Sequence, residues 1–217
     1  MPINVQQFVT GDLQENCYFL WREGTGEAIV FDPGDEAARL LRELEKLKLK
    51  PVAFVQTHCH CDHIGGLTEM KAAFPAAPLY VPEAEKEWLS RPTLNLSYFM
   101  GASITGPKPD ILVNENDVLE LAGVKLKAIL VPGHSPGGTA YFVEDTESKK
   151  FHLICGDILF QGGIGRTDFP GSAGEEVLIE GIREKLFVLP DATIVYPGHG
   201  SETTIGEEKE SNPFCGI

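Results

Sequence analysis

The chain has 217 residues, 42% of them hydrophobic, and a formal net charge of -14. That hydrophobic share supports a sizeable packed core and excludes a disordered chain. The acidic balance argues against nucleic-acid and anionic-membrane partners, which select a basic face. The length suits one domain, residues 1-217.

Nothing in the N-terminal Met1-Pro2-Ile3-Asn4-Val5 reads as a targeting peptide, and no window reaches transmembrane length. Five cysteines, at 17, 59, 61, 155 and 215, form no disulfide framework. A reducing compartment, the cytoplasm, is therefore the expected location.

In chain order, residues 2-9 and 16-22 read as strands joined at Gly11-Asp12, and Glu27 to Phe31 as a third, closed by Asp32-Pro33-Gly34. Glu36 to Lys48 carries leucine at 40, 41, 44 and 47, the period of a helix with one apolar face. Val52 to Val55 is a short buried strand. Ile64 to Phe74 reads as a helix, Leu79 to Val81 as a strand and Pro82 to Leu89 as another helix. Residues 91-110 form a long loop with Leu94, Leu96, Tyr98, Phe99 and Met100 interleaved. It serves either as a wall over a binding site or as a loop packing on the core. Val118 to Leu121 and Val124 to Val131 read as a hairpin turning at Ala122-Gly123. Strands follow at Thr139 to Val143, Phe151 to Cys155 and Thr193 to Tyr196, with helices over 175-188 and Thr204 to Glu210.

The densest chemistry is Thr57-His58-Cys59-His60-Cys61-Asp62-His63-Ile64-Gly65-Gly66, which holds three of the six histidines. Strand parity puts His58 and His60 on one face and Cys59 and Cys61 on the other. Imidazole and carboxylate donors together suit zinc, iron, manganese or cobalt. Three later apolar runs end the same way: Lys127 to Gly133 runs into His134, Phe151 to Gly156 into Asp157, and Thr193 to Gly198 into His199. Ligands in layered α/β folds gather beyond strand ends. Seven candidate ligands follow: His58, His60, Asp62, His63, His134, Asp157 and His199. That is enough for two divalent metal ions. The expected grouping is His58, His60 and His134 on one ion, and Asp62, His63 and His199 on the other, with Asp157 bridging. Zinc is the first expectation, and iron or manganese suits the same donors. His152, inside a strand, reads as structural, as do Cys17, Cys155 and Cys215.

These ordered motifs resemble the metallo-β-lactamase superfamily. They are H-x-H-x-D-H at 58-63, Pro132-Gly133-His134-Ser135-Pro136-Gly137-Gly138, Gly156-Asp157 and Pro197-Gly198-His199-Gly200. The resemblance implies an α/β fold, a four-layer αββα sandwich of two mixed β-sheets flanked by helices, with the metals at the edge between the sheets. Glu15-Asn16-Cys17-Tyr18, Asp32-Pro33-Gly34, Gly156-Asp157-Ile158-Leu159-Phe160, Gly165-Arg166-Thr167-Asp168-Phe169 and Asn212-Pro213-Phe214 look like the glyoxalase II branch, in its short bacterial form. That implies hydrolysis of a small-molecule thioester, S-lactoylglutathione or a related hydroxyacyl-glutathione, by a metal-bridging hydroxide. Larger members of the branch grip glutathione with a C-terminal helical domain that this sequence does not contain, so the thiol carrier stays open.

Asp157, as bridge, and Asp62, which can orient the hydroxide, are the expected catalytic carboxylates. A thiolate leaves without acid help, so no catalytic Ser, Cys or Lys is needed. Arg166 is the candidate substrate anchor, because a guanidinium pairs well with carboxylates. The alternative for it is a loop-stiffening pair with Asp168. The competing function on the same scaffold is a mononuclear iron persulfide dioxygenase acting on glutathione persulfide, its iron held by His58, His134, Asp157 and neighbours of the His60 type.

Overall fold

A computed structural model describes all 217 residues. The first half is a six-stranded mixed sheet. Strands β1 (Ile3–Thr10), β2 (Glu15–Arg22) and β3 (Glu27–Phe31) pair antiparallel in sequence order. Helix α1 (Ala37–Leu47) crosses over to β4 (Lys50–Val55), which pairs parallel with β3. A four-residue helix α2 (Cys61–Ile64) and α3 (Leu67–Ala73) lead to β5 (Leu79–Pro82), and β6 (Ile111–Val113) closes the sheet, again in parallel.

The second half repeats this plan. Strands β7 (Val118–Leu121), β8 (Val124–Leu130), β9 (Thr139–Asp145) and β10 (Lys150–Gly156) form an antiparallel meander. A short ribbon, β11 (Leu159–Phe160) with β12 (Gly163–Ile164), precedes α4 (Glu175–Gly181), which continues as a π-helical turn over Ile182–Leu186. Strand β13 (Thr193–Pro197) pairs parallel with β10, β14 (Thr203–Thr204) pairs antiparallel with β13, and α5 (Ile205–Ser211) follows.

Two-residue alternation explains why both sheets are buried on both faces. In β2, Cys17 and Phe19 join the core under α1 and α3, while Tyr18 and Leu20 join the core between the sheets. In β3, Ala28 and Val30 go outward and Ile29 and Phe31 inward. In the second sheet, Tyr141, Val143 and Ile154 face the first sheet, and Ala140, Leu153 and Cys155 face Leu178, Ile182 and Leu186 of the helical layer. Three apolar cores thus separate four layers, helix, sheet, sheet and helix, which is the expected αββα sandwich. No helix is long and apolar enough to cross a membrane.

Some boundaries moved for local reasons. The helix expected from Ile64 breaks at Gly65-Gly66, where the Gly66 N–H donates to the Pro33 and Gly34 carbonyls instead of continuing a helix. The helix expected over Pro82 to Leu89 is two 3₁₀ turns, Glu83–Glu85 and Trp88–Ser90. There the Glu85 side chain is drawn fully inward to bond two distant backbone amides. The expected turn at Ala122-Gly123 is present, with φ of 50° and 69°, the left-handed pair of a type I′ hairpin.

Candidate metal centre

β4, β8, β10 and β13 end at one edge of the sandwich, and the residues just beyond them converge. His58, His60 and His134 present ligand atoms within 4.8 Å of one another, and so do Asp62, His63 and His199. These are the two groups expected from the spacing. Asp157 lies between them. Its Oδ1 is 3.4 Å from His63 Nε2, and its Oδ2 is 3.4 Å from His134 Nε2 and 3.6 Å from His199 Nε2. Asp62 Oδ2 is 3.3 Å from His199 Nε2 and 4.0 Å from His63 Nε2.

The inward nitrogens of the first group are 3.1 Å (His58 Nε2 to His60 Nδ1), 2.8 Å (His60 Nδ1 to His134 Nε2) and 3.3 Å (His134 Nε2 to His58 Nε2) apart. Three imidazoles cannot satisfy one another in such a triangle. A cation bound at about 2.0–2.1 Å from each nitrogen spaces them by roughly 2.9–3.4 Å, and the shortest of the three separations, 2.8 Å, falls just below that range. His63 Nε2 and Asp157 Oδ1 are likewise buried without a hydrogen-bond partner. The donor set fits hard-to-borderline divalent cations.

The far side of four of the five rings is held. His134 Nδ1–H donates to the Arg166 carbonyl at 2.7 Å, and His199 Nδ1–H to the Leu13 carbonyl at 3.1 Å. His63 Nδ1–H donates to Asp32 Oδ2 at 3.1 Å. His58 Nδ1–H reaches Thr57 Oγ1 at 3.1 Å, and that hydroxyl donates to Asp32 Oδ2 at 2.6 Å. Each of these bonds fixes a tautomer and leaves the Nε2 lone pair facing inward. His60 is turned the other way, with Nδ1 inward and Nε2 buried and unpaired.

Charge balance follows burial. Burial lowers the pKa of His58, His60 (to about 3) and His134, keeping all three rings in the neutral, ligating form. Burial also opposes charge on His63, but Asp157 and Asp62 outweigh it and raise its pKa. On Asp157 burial acts upward and is outweighed by His63 and His134, so its carboxyl is held well below the usual range.

Two glycines before the ligands act differently. Gly156 has φ of 50°, and a Cβ there would lie 2.2 Å from Thr57 Oγ1. Gly198 makes no left-handed turn; a Cβ there would lie 2.1 Å from Asp157 Oδ1. The first permits a turn and the second keeps the carboxylate free.

Reading the residues beyond strand ends missed three buried carboxylates. Asp32 Oδ1 accepts from the Thr57 backbone amide at 2.8 Å, while its Oδ2 holds Thr57 Oγ1 and His63. Glu15, pushed up in pKa by burial, sits 3.8 Å from His63 Nδ1. Glu85 ties the two ligand-bearing loops together, accepting from Cys59 N at 2.6 Å and Gly137 N at 2.7 Å. Truncating it strands two buried N–H groups, each costing about 1–3 kcal/mol. Glu85→Ala is therefore expected to destabilise the fold by roughly 2–5 kcal/mol, read as a lower urea midpoint at unchanged m-value. An unshifted midpoint would remove Glu85 from this role.

Of the two cysteines in the cluster, Cys59 follows the parity reading and Cys61 departs from it. Cys59 is buried in the outer core and faces away from the histidines. Cys61 is not in strand geometry, since it begins α2, and it borders the cavity beside Asp62 with its Sγ 3.5 Å from Met100 Sδ. Burial raises its thiol to about 11, and its Sγ belongs to none of the clustered ligand groups. The Arg166 guanidinium is exposed at the mouth, bidentate with Asp168 at 3.0 and 2.8 Å and stacked 4.4 Å from the Phe169 ring centre. The loop of residues 91-110 plays both of its expected parts. Leu94 and Ile104 pack on the core, and Leu96, Phe99 and Met100 line the cavity over the site. Asn95 pins it, donating to the Trp88 and Ile104 carbonyls while its own carbonyl accepts from Cys61 N.

The profile of the metallo-beta-lactamase superfamily matches residues 10–199, from the end of β1 to His199. The chain belongs to the metallo-beta-lactamase superfamily. It is 38% identical over 213 residues to the hydroxyacylglutathione hydrolase GloC of Haemophilus influenzae, covering 98% of both chains. It is similar to the crystal structure of the BLEG-1 B3 metallo-beta-lactamase, with a TM-score of 0.91, 38% identity and coverage of 98% of this chain and 99% of that one. It is also similar to TTHA1623 in a di-iron-bound form, with a TM-score of 0.82, 33% identity and coverage of 96% and 99%. Superfamily membership and the clustered His and Asp groups imply divalent metal ions and an enzyme of the metallo-hydrolase type.

Proposed function

We propose that the chain is a binuclear metal-dependent thioester hydrolase, with a hydroxyacyl-glutathione such as S-lactoylglutathione as the first substrate to test. The observation that carries this reading is the pair of ligand groups joined at Asp157, supported by the likeness to GloC. His58, His60 and His134 would hold one ion and Asp62, His63 and His199 the other, with Asp157 shared. Two divalent ions in such a site supply a hydroxide near neutral pH and polarise a carbonyl. The chain's own residues do the rest. His58 and His134 are presented neutral with their tautomers fixed from behind, Asp62 lies at the cavity surface where it can orient a nucleophile, and apolar side chains line the approach. No general acid is required, because a thiol with a pKa near 8.5 leaves as its thiolate. Zinc is the ion we assign first. Five free, buried cysteines fit a reducing location, and we place the protein in the cytoplasm.

A single-iron oxygenase would leave the Asp62, His63 and His199 group without a task, which favours the hydrolase. Purified protein is expected to carry close to two transition-metal ions per chain and to release thiol from S-lactoylglutathione. Uptake of oxygen with glutathione persulfide, together with one iron per chain and no thiol release, would replace this reading by the oxygenase.

A further inference from the structure

We infer that the substrate's acyl group is an uncharged apolar chain, and that Leu96, Phe99, Met100, Phe160 and Phe169 form the wall that selects it. This rests on the thioester-hydrolase reading above and replaces its hydroxyacyl group with an apolar one. The cavity over the ligand groups measures about 420 Å³, room for a small ligand. Its polar side chains are the candidate ligands and Arg166; no Ser, Thr, Asn, Gln or Lys lines it. Arg166 is its one cation, and that guanidinium is already paired in both directions with Asp168.

The neighbouring chamber, about 260 Å³, shares Leu13, Cys61, Asp62 and Met100 with the first and adds Asp12 and Asp35. It offers carboxylates and neither Lys nor Arg. Phe99 and Met100 are 63% and 56% exposed, and Leu13, which lines both cavities, is 47% exposed. Apolar side chains clustered at a site mouth mark a surface that a ligand covers. Tight binding of a short hydroxylated acyl group favours hydrogen-bond donors in this wall, and its side chains supply none besides the candidate ligands, the Cys61 thiol and the paired Arg166.

The test is a series of straight-chain thioesters, acetyl to hexanoyl, on one uncharged thiol (N-acetylcysteamine), assayed with the metal-loaded protein. The expected result is a rise in kcat/KM of roughly two- to fourfold per methylene, with lactoyl below butanoyl. In Phe99→Ser, an exposed position that folding tolerates, the slope is expected to flatten. A flat or falling series, or a slope untouched by Phe99→Ser, overturns the inference while leaving thioester hydrolysis intact. If no thioester is cleaved, calorimetry with acetyl- to hexanoyl-hydroxamate decides separately. Affinity rising with chain length keeps the apolar wall, and uniform affinity removes it.

Discussion

Asp157→Asn is expected to lower metal content from about two ions per chain to about one or fewer, and to cut thioester turnover by roughly a thousandfold. The reason is geometric. Asp157 Oδ1 faces His63 and Oδ2 faces both His134 and His199, so this one carboxylate reaches both ligand groups. An amide keeps the shape but offers a single weak oxygen and an NH₂ that repels a cation. In the proposed two-ion site, losing one ion would remove carbonyl polarisation or nucleophile activation, each worth several kcal/mol; a thousandfold corresponds to about 4 kcal/mol. Metal analysis after gel filtration, alongside the thiol-release assay, measures both quantities. A variant that keeps its full metal content would take Asp157 out of the ligand set.

Asp32→Ala is the second large effect. Asp32 is buried, holds the Thr57 amide and hydroxyl, and accepts from His63 Nδ1–H. Its removal leaves a polarised His63 and an unpaired amide in the interior, so the expected loss is about 3–5 kcal/mol of stability. It also frees the His58 and His63 rings to rotate, and metal affinity is expected to fall 10- to 100-fold. Asp32→Asn preserves the shape and is expected to recover part of the stability but not the affinity. Chemical denaturation and competition with a chromogenic chelator separate the two effects. Equal affinity in wild type and Asp32→Asn would show that His63 needs no carboxylate behind it.

The contrast between Asp157 and Asp32 shows what the sequence made legible. Both follow an apolar strand directly, Asp157 after β10 and Asp32 after β3. The ligand groups could be expected because H-x-H-x-D-H and three later strand ends each put a donor outside the sheet. Asp32 reads as part of a turn because proline and glycine follow it, and turn chemistry masks a buried carboxylate. Glu85 had no signal at all. Its partners are the amides of Cys59 and Gly137, 26 and 52 residues away, and the helix expected around it dissolves because its side chain turns inward. Residues 91-110 show the same limit, since composition gave an aromatic loop without saying which aromatics face the cavity.

Local rules, then, determined the alternating strands, the apolar stripe of α1, the Ala122-Gly123 hairpin and the choice of seven candidate donors, because each depends on neighbours a few residues apart. The tertiary structure alone decided which donors share a point in space. It set the ring tautomers through the carbonyls of Arg166 and Leu13, the pairing of Arg166 with Asp168, and the apolar lining of the cavity. Those depend on segments brought together by sheet packing, and no short-range pattern encodes their distances.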